Sequence, residues 1–429
     1  MREDLIGHSE AGRPISVVHV GGETAPLRIL IVAGQHGDER RGRQAVTQFV
    51  EHGQPAQDRA APVGIAVVPD ANPDGTARRI RTNARGVDLN RDHLRLAAAE
   101  TRALHQFVRS WRPHLVVDVH DFPPRRRHLL AQQLVYCHDV FLDVPTHPVA
   151  RHPALGPKGS RLLQPVLGAL NAASYRSARY TRVTRSGRVR HSTPDVVDAR
   201  NGLALRYGVP TILVETRGPS RRDDPTVESH VVAGVQLALA LIVRWAQEHR
   251  VPLTEARPRM PADDSVPVRT RYRHAARPCR LAFADPHSGE IRTVVVPGRF
   301  TPHLEATWRV RLPRAYAVPR DRAALLEVLR RHAFALVPPS PDGIQRIERY
   351  WIERLKPSRR PDRSPHDLTL SVQLESGSLD EHVLVPVGAD GGAALAVLLE
   401  PASKHGLARF AEMELPVAPQ AAYPIWRVV

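Results

Sequence analysis

Four short apolar runs constrain most strongly what this 429-residue chain can fold into. They occupy residues 29–32, 63–68, 115–119 and 211–214. Predominantly apolar runs of this length, of which residues 63–68 are the most continuous, are typical of strands that are buried on both faces of a parallel sheet. Segments with helical periodicity separate them, and polar groups follow most of them. We therefore predict an α/β fold whose functional groups gather at the carboxyl ends of the strands.

The first run is followed by a short loop that contains His36 and Glu39. Two ligands three residues apart can bind one metal ion when the backbone turns sharply between them, and Gly37 permits such a turn. A His-x-x-Glu pair on its own is more often part of a solvated loop. His120, however, ends a later apolar run. We expect it at the same sheet edge as His36 and Glu39.

The loop after the second run is unusually rich in polar residues. It begins with the turn signal Asn-Pro-Asp-Gly at residues 72–75 and continues with arginine, asparagine and aspartate up to residue 91. Such a loop can be an ordinary surface, but at the carboxyl edge of a parallel sheet it can also mark a binding crevice. The fourth run ends in a carboxylate, Glu215.

Domain organisation follows from length and local composition. We predict an α/β domain at residues 1–250, a linker at 251–268 and a smaller α+β domain at 269–429. Residues 121–200 are rich in arginine and show little periodicity, so we expect a lid, a wall or a disordered insertion there. Asp224 and Pro225 predict the start of a helix that extends to about residue 248.

The charge of the chain is strongly positive but scattered. The net charge is +17, and 58 of the 61 basic residues are arginine. A nucleic-acid-binding protein would concentrate this charge in a patch, often with aromatic residues, which make up only 5% here. We therefore expect no specific nucleic-acid partner. The positive charge favours acidic substrates through long-range steering.

Targeting signals and cysteine chemistry add little. The chain lacks a run of about 18 apolar residues, so we expect no membrane span. Its first residues lack the apolar segment of a signal peptide, which predicts a cytoplasmic protein, or a secreted or periplasmic one if the chain begins late. Cys137 and Cys279 are too few for a disulfide framework or a thiolate metal site.

Six motifs, in this order along the chain, resemble the zinc carboxypeptidase family, the carboxypeptidase A-like metallopeptidases. They are Ile6-Gly7-x-Ser9-x-x-Gly12-Arg13-Pro14, His36-x-x-Glu39, Asn72-Pro73-Asp74-Gly75, Arg81-x-Asn83-x-x-Gly86-Val87-Asp88-Leu89-Asn90-Arg91, His120 and Leu213-Val214-Glu215-Thr216-Arg217. The resemblance covers roughly residues 5–248 and implies a mixed, largely parallel sheet flanked by helices. Residues 312–316 and 398–401 resemble more loosely the trailing domain of some bacterial members.

The resemblance implies a metal centre. His36, Glu39 and His120 would bind one zinc ion per chain and leave a coordination position for water. Asp88 would hold a ligand histidine in its orientation, since a metal-bound imidazole needs a partner for its other N–H group. Glu215 would act as the general base and acid.

The resemblance also implies substrate contacts. Arg81 would stabilise the negative charge that develops on the reacting carbonyl oxygen, and Asn90 with Arg91 would bind a substrate carboxylate. One expected residue is missing, because family members usually have a tyrosine some twenty residues before the general base. The corresponding region offers Arg188, Arg190, His191 and Thr193, and we assign the role to none of Tyr175, Tyr180 and Tyr207.

These residues predict a zinc-dependent metallocarboxypeptidase. It would hydrolyse a peptide bond next to a free C-terminal carboxylate through zinc-activated water, and its partner would be a peptide or peptide-like substrate. Two other enzymes with this zinc site stay open: an amidohydrolase or deacylase of small acyl-amino acids, and a cell-wall peptide endopeptidase. A catalytically silent zinc-binding scaffold is a further alternative, against which the presence of Glu215 argues.

Overall fold

The protein is described here from a computed structural model. The residues it describes are 1–22, 25–51, 63–186, 188–191, 195–220, 223, 225–255, 265–274, 278–296, 300, 303–340, 344–356, 367–388 and 391–429.

The strands among these residues are β1 (Arg2–His8), β2 (Pro14–Val20), β3 (Leu27–Ala33), β4 (Val63–Val68), β5 (Leu115–Phe122), β6 (Val135–Tyr136), β7 (Val140–Asp143), β8 (Ser177–Arg179), β9 (Thr181–Val183), β10 (Val189–His191), β11 (Thr211–Arg217), β12 (Ser265–Arg273), β13 (Cys279–Ala284), β14 (Ile291–Val296), β15 (His303–Arg311), β16 (Ala315–Pro319), β17 (Gln345–Lys356), β18 (Asp367–Gly377), β19 (His382–Pro386), β20 (Ala421–Ala422) and β21 (Trp426–Val428). The α-helices are α1 (Arg40–Glu51), α2 (Pro73–Arg78), α3 (Ala99–Trp111), α4 (Arg127–Leu130), α5 (Ser160–Ala172), α6 (Ala199–Tyr207), α7 (Pro225–Glu248), α8 (Arg250–Glu255), α9 (Ala323–Arg331) and α10 (Gly392–Leu399).

The main sheet has eight strands in the order β1-β2-β4-β3-β5-β11-β7-β8. Its four central strands, β4, β3, β5 and β11, are parallel and correspond to the four apolar runs. The flanking strands include antiparallel neighbours. Because both faces of the central strands are buried, most of their residues are apolar, and most of the polar residues of β5 and β11 lie towards the carboxyl ends of these strands. The predicted mixed, largely parallel sheet is confirmed.

Helices cover both faces of this sheet. Along β3, Ile29 and Ile31 pack in one apolar cluster with residues of α1, α5 and α7. Leu30 and Val32 point the other way and pack with residues of α3 and α6. This alternation follows from the two-residue period of a strand. The structure is therefore a layered α/β arrangement, and its strand ends form a rim where loops meet.

Helix α7 confirms the predicted helix at residues 226–248. It is long and apolar enough to cross a membrane by length and composition alone. Eleven of its residues are buried, however, and nine of these belong to one apolar cluster with residues of α1, α5 and the main sheet. Asp224, the predicted cap of this helix, lies outside the described residues.

Residues 121–200 are more regular than predicted. They contain α5, a helix of 13 residues, as well as β7 and β8 of the main sheet. The expectation of a disordered insertion is therefore wrong for the described residues of this segment, whereas the expectation of a wall agrees with the structure, because several of them line the cavity described below. Pro165 inside α5 hides the helical pattern, and the strands are only three or four residues long, which is too short for a clear alternation.

The C-terminal residues form an α+β arrangement, as predicted. Strand β16 lies within a sheet of the order β18-β17-β21-β16-β19, with α9 and α10 packed in the same apolar cluster. Leu94, Val196 and Leu205 from the earlier part of the chain also belong to that cluster. The predicted linker overlaps with α8 and with the start of β12, and residues 256–264 lie outside the described part. The division of the chain into domains stays a prediction.

The loop after β3 depends on glycine in a way that differs from the prediction. The left-handed backbone conformation belongs to Gly34, with a φ of 72°, and not to Gly37. Gly37 is needed for a close approach, since a Cβ there would lie 1.9 Å from the carbonyl carbon of Gly75. Gly75 belongs to α2, which replaces the predicted turn because Asn72 caps a helix that begins with Pro73.

We predict that Gly37→Ala lowers the free energy of unfolding by about 1–3 kcal/mol or more, because backbone atoms cannot rotate away from the added methyl group. Urea unfolding followed by circular dichroism measures the change. The matched control is Gly168→Ala, on an exposed position of α5 with open space around it. There the same substitution should stabilise the helix by about 0.5–1 kcal/mol. Equal effects at the two positions would contradict the close approach.

Candidate metal centre and active site

Three side chains converge where β3 and β5 end. His36 and Glu39 lie in the loop between β3 and α1, and His120 lies near the end of β5. The Nδ1 atom of His36 is 2.7 Å from Oε1 of Glu39, and the Nδ1 atom of His120 is 2.8 Å from Oε2. One possible ligand atom from each residue falls within 4.8 Å of the others. The structure therefore brings together all three predicted metal ligands.

The outer side of each imidazole faces a carboxylate. The Nε2 atom of His36 is 3.0 Å from Oδ1 of Asp88, and that of His120 is 3.1 Å from Oδ1 of Asp118. A neutral imidazole that donates from Nε2 has its lone pair on Nδ1. Both lone pairs then point at the carboxylate of Glu39. Electron-pair donors facing one another in this way fit a cation between them, and a His-Glu-His set suits zinc.

The electrostatics of the cluster agree with this view. Burial lowers the pKa of His120, but Asp118 and Glu39 outweigh it and hold that pKa well above its ordinary value. The pKa of His36 is also raised, because Glu39 and Asp88 outweigh its burial. Burial raises the pKa of Glu39, yet the two histidines keep it well below its usual range. Protons and a metal ion therefore compete for the same positions.

Arg81 lies against this cluster. Its Nε atom donates to Oδ2 of Asp88 at 2.9 Å, and its Nη1 atom is 3.5 Å from Oε1 of Glu39. The side chain is 43% exposed, so the rest of the guanidinium is open to the cavity beside it. A positive charge held here can stabilise negative charge that develops next to the metal ligands.

Asn90 and Arg91 lie in a short 3-10 helix, Leu89–Arg91. The amide oxygen of Asn90 accepts a hydrogen bond from the backbone N–H of Ala199 at 2.8 Å, and its Nδ2 atom is 2.9 Å from Nε2 of His120. Arg91 is exposed and donates to the backbone carbonyl of Asn90 at 2.6 Å. The backbone of Ala199 thus holds Asn90 in place, while most of the Arg91 guanidinium stays available.

Glu215 is brought to the site by strand register. Strand β11 pairs with β5 in parallel, and Glu215 is the partner of His120 in that register. Burial raises the pKa of Glu215 to about 7; the attraction of His120 opposes this, and the smaller repulsion of Glu39 adds to it. A carboxylate with such a pKa can both accept and return a proton near neutral pH.

A single cavity of about 550 Å³ joins these groups. Its lining residues are His36, Asp38, Glu39, Arg81, Asn90, Arg91, Asp118, His120, Asp121, Phe122, Pro123, Arg126, Tyr180, Arg182, Asp198, Arg200, Leu213, Glu215, Gly218 and Pro219. Of the predicted site residues, only Asp88 is absent from this lining, and it contacts His36 from outside. The volume is within the range of small-molecule sites.

A buried chain of hydrogen bonds behind His120 was not predicted. Asp118 Oδ1 accepts from Gln35 Nε2 at 2.6 Å, and Gln35 Oε1 is 2.8 Å from His93 Nε2. The chain continues from His93 Nδ1 to His105 Nε2 at 3.0 Å and from His105 Nδ1 to the hydroxyl of Tyr207 at 3.0 Å. The sequence indicates that Asp118 is unusual, since it is the only charged residue within its apolar run. Nothing in the sequence singles out His93 and His105.

The three tyrosines near the predicted substrate-closing position have different surroundings. Tyr180 is buried and lines the cavity. Tyr175 stacks on His230, and Tyr207 contacts His105. Thr193 lies outside the described residues. The missing tyrosine therefore has no counterpart among Tyr175 and Tyr207, and Tyr180 is part of the cavity wall.

Comparison with known proteins gives the same family as the motifs. The family model described as Zinc carboxypeptidase matches residues 1–123. Carboxypeptidase 2 of Trichophyton rubrum is 26% identical over 251 residues, which are 54% of this chain and 46% of that protein. Probable carboxypeptidase 2 of Trichophyton verrucosum (strain HKI 0517) is 31% identical over 121 residues, 27% of this chain and 23% of that protein.

Among solved structures, the crystal structure of a metallo-carboxypeptidase from Burkholderia cenocepacia is similar, with 20% identity and a TM-score of 0.43 over 58% of this chain and 65% of that one. The chain spans less than half the length of the two curated relatives named above. The family match contains His36, Glu39 and His120. The resemblance to the zinc carboxypeptidase family is thus confirmed, and residues 1–123 carry the family match.

Proposed function

We propose that this protein is a zinc-dependent metallocarboxypeptidase that hydrolyses a peptide bond next to a free C-terminal carboxylate. One observation supports this most: a single cavity contains a three-residue metal cluster, a carboxylate with a pKa of about 7 and a guanidinium against the metal ligands. The family match over residues 1–123 and the relatives named carboxypeptidase support the same reaction.

His36, Glu39 and His120 would hold one zinc ion, with Asp88 and Asp118 fixing the two imidazoles from behind. A bound zinc ion supplies Lewis acidity, which lowers the pKa of water and polarises a carbonyl group. Three protein ligands leave room for that chemistry, since a catalytic zinc site keeps one position open.

The side chains of the protein perform the remaining tasks. Glu215 takes a proton from the attacking water and delivers it to the leaving amine, which its pKa near 7 permits in both directions. Arg81 stabilises the negative charge on the former carbonyl oxygen. Arg91 pairs with the terminal carboxylate of the substrate through its free N–H groups, and Asn90, oriented by Ala199, binds the same carboxylate beside it.

The first prediction concerns the metal. The purified protein should contain about one zinc ion per chain, and His36→Ala, Glu39→Ala and His120→Ala should each lose it, because three protein ligands tolerate no deletion without a large loss of affinity. Metal analysis after dialysis measures this. Affinity should also fall as the pH falls, because protons bind to the two histidines in competition.

The exposed histidine variant His8→Ala serves as the control and should keep its zinc. Stoichiometric zinc in His120→Ala would remove that residue from the site.

Glu215→Gln should keep its zinc and its fold but lose a factor of about 10²–10⁴ in kcat, because an amide cannot accept the proton of water. Hydrolysis of blocked dipeptides measures the loss, and Glu51→Gln, an exposed change of the same kind, should leave the rate unchanged. In the unmodified protein, kcat/KM should fall on the acidic side as Glu215 becomes protonated. Wild-type rates in Glu215→Gln would exclude this base.

Arg91→Ala separates the proposed exopeptidase from the other enzymes with this metal site. On free-acid substrates, kcat/KM should fall by the equivalent of about 2–5 kcal/mol, the range for truncating a buried charge pair. Substrates amidated at the C-terminus form no such pair, so they should be poor for the unmodified protein and little affected by the substitution. Equal losses on both substrates would instead indicate an amidohydrolase or an endopeptidase.

A further inference from the structure

Five guanidinium groups line the cavity, but they are not equivalent. Arg81 forms an ion pair with Asp88, and Arg200 is buried between Asp143 and Asp198. Arg91, Arg126 and Arg182 differ: within the described part of the chain, no carboxylate forms an ion pair with any of them. Arg91 already has a proposed role at the substrate terminus. The other two have no role in the reaction described above.

Arg126 and Arg182 come from separate segments that meet on one side of the cavity. Arg126 lies between β5 and α4, four residues beyond Phe122 at the end of β5. Arg182 lies in β9, which pairs with β10, and follows the cavity residue Tyr180. Both side chains are half-buried. Two chain segments therefore deliver positive charge to the same wall.

This wall is the one beside the general base. The positive charges of Arg182 and Arg126 both act to lower the pKa of Glu215 and the pKa of Tyr180. Neither is close enough to Glu215 to form an ion pair with it. The two guanidinium groups are thus near the reacting centre, and among the described residues no carboxylate forms an ion pair with either of them.

The physical cost of this arrangement points to a ligand. A half-buried guanidinium has lost part of its favourable hydration free energy. Without a bound anion, no interaction compensates for that loss. The chain contains many arginines, so unpaired ones on the open surface need no explanation. Two of them facing one cavity next to a catalytic carboxylate do, because a planar guanidinium is well suited to bind a carboxylate in this setting.

We propose that Arg126 and Arg182 form a second anion-binding subsite, so that the preferred substrates carry an acidic side chain next to the scissile amide in addition to the terminal carboxylate. This inference rests on the proposed function for the identity of the reaction. It names the substrate class: peptides with glutamate or aspartate at the cleavage site. The terminal carboxylate and the acidic side chain would bind to different arginines.

The test uses substrates that differ only in charge. Blocked dipeptides with glutamate or glutamine at the last position, and a second pair at the penultimate position, are compared by kcat/KM with the zinc-loaded protein. The glutamate member of one pair should be preferred by about 10- to 100-fold, the factor that corresponds to a hydrogen-bonded charge pair. Arg126→Gln and Arg182→Gln should each reduce that preference, and the double variant should abolish it.

Two neighbouring arginines supply matched controls. Arg127 and Arg185 are exposed and do not line the cavity, so Arg127→Gln and Arg185→Gln remove the same charge without touching the subsite. Their preference for glutamate should equal that of the unmodified protein. Lysine variants, Arg126→Lys and Arg182→Lys, keep the charge and should keep part of the preference even where a glutamine variant does not fold.

A binding measurement separates this inference from the proposed reaction. Calorimetry with the zinc-loaded Glu215→Gln variant compares the glutamate and glutamine peptides without turnover. Tighter binding of the glutamate peptide supports the subsite if the difference depends on Arg126 and Arg182. A failure to hydrolyse any of the peptides would overturn the proposed function but not the subsite. Hydrolysis or binding that is equal for glutamate and glutamine at both positions overturns the subsite.

Discussion

The rest of the site depends on the contacts that the carboxylate of Glu39 makes. One oxygen contacts His36 and the other contacts His120, and the second oxygen also accepts a hydrogen bond from the backbone N–H of Asp121 at 3.1 Å. Asp121 in turn accepts hydrogen bonds from Arg41 and Gly42 at the start of α1. These hydrogen bonds connect the metal cluster to the junction between β5 and α1. The rigid sheet therefore positions the ligands.

Most of the sheet could be predicted because its central strands are buried on both faces. That environment leaves apolar runs in the sequence, and the four runs became β3, β4, β5 and β11. The predicted helices α1, α3 and α7 also have a clear helical period in their sequences. The metal ligands and Glu215 were accessible to motif reasoning because the spacing of the motif reflects the geometry of strand ends, although their roles stay predictions.

The features that could not be predicted depend on contacts between distant parts of the chain, which the local sequence does not encode. Strands β7 and β8 are too short to show alternation, and α2 looked like a turn because a capped helix that begins with proline uses the same residues. The need for Gly37 arises from α2 approaching from another part of the chain. The same holds for the arginines: composition shows an excess, but only the three-dimensional pairing separates Arg200, bound by two carboxylates, from Arg126 and Arg182.

The buried series of hydrogen bonds behind His120 has one consistent direction of donation. If every donor meets an acceptor, the hydroxyl of Tyr207 donates to His105, His105 to His93, His93 to Gln35 and Gln35 to Asp118. Burial lowers the pKa of His93 to about 4 and that of His105 well below its ordinary value, so both stay neutral and can each pass on one hydrogen. All of these dipoles point their positive ends towards Asp118. Burial raises the pKa of Asp118, but His120 outweighs it and lowers that pKa, and the hydrogen bond from Gln35 acts in the same direction. The aligned dipoles therefore add to the effect of His120 and help to preserve the negative charge that His120 contacts on the side away from Glu39.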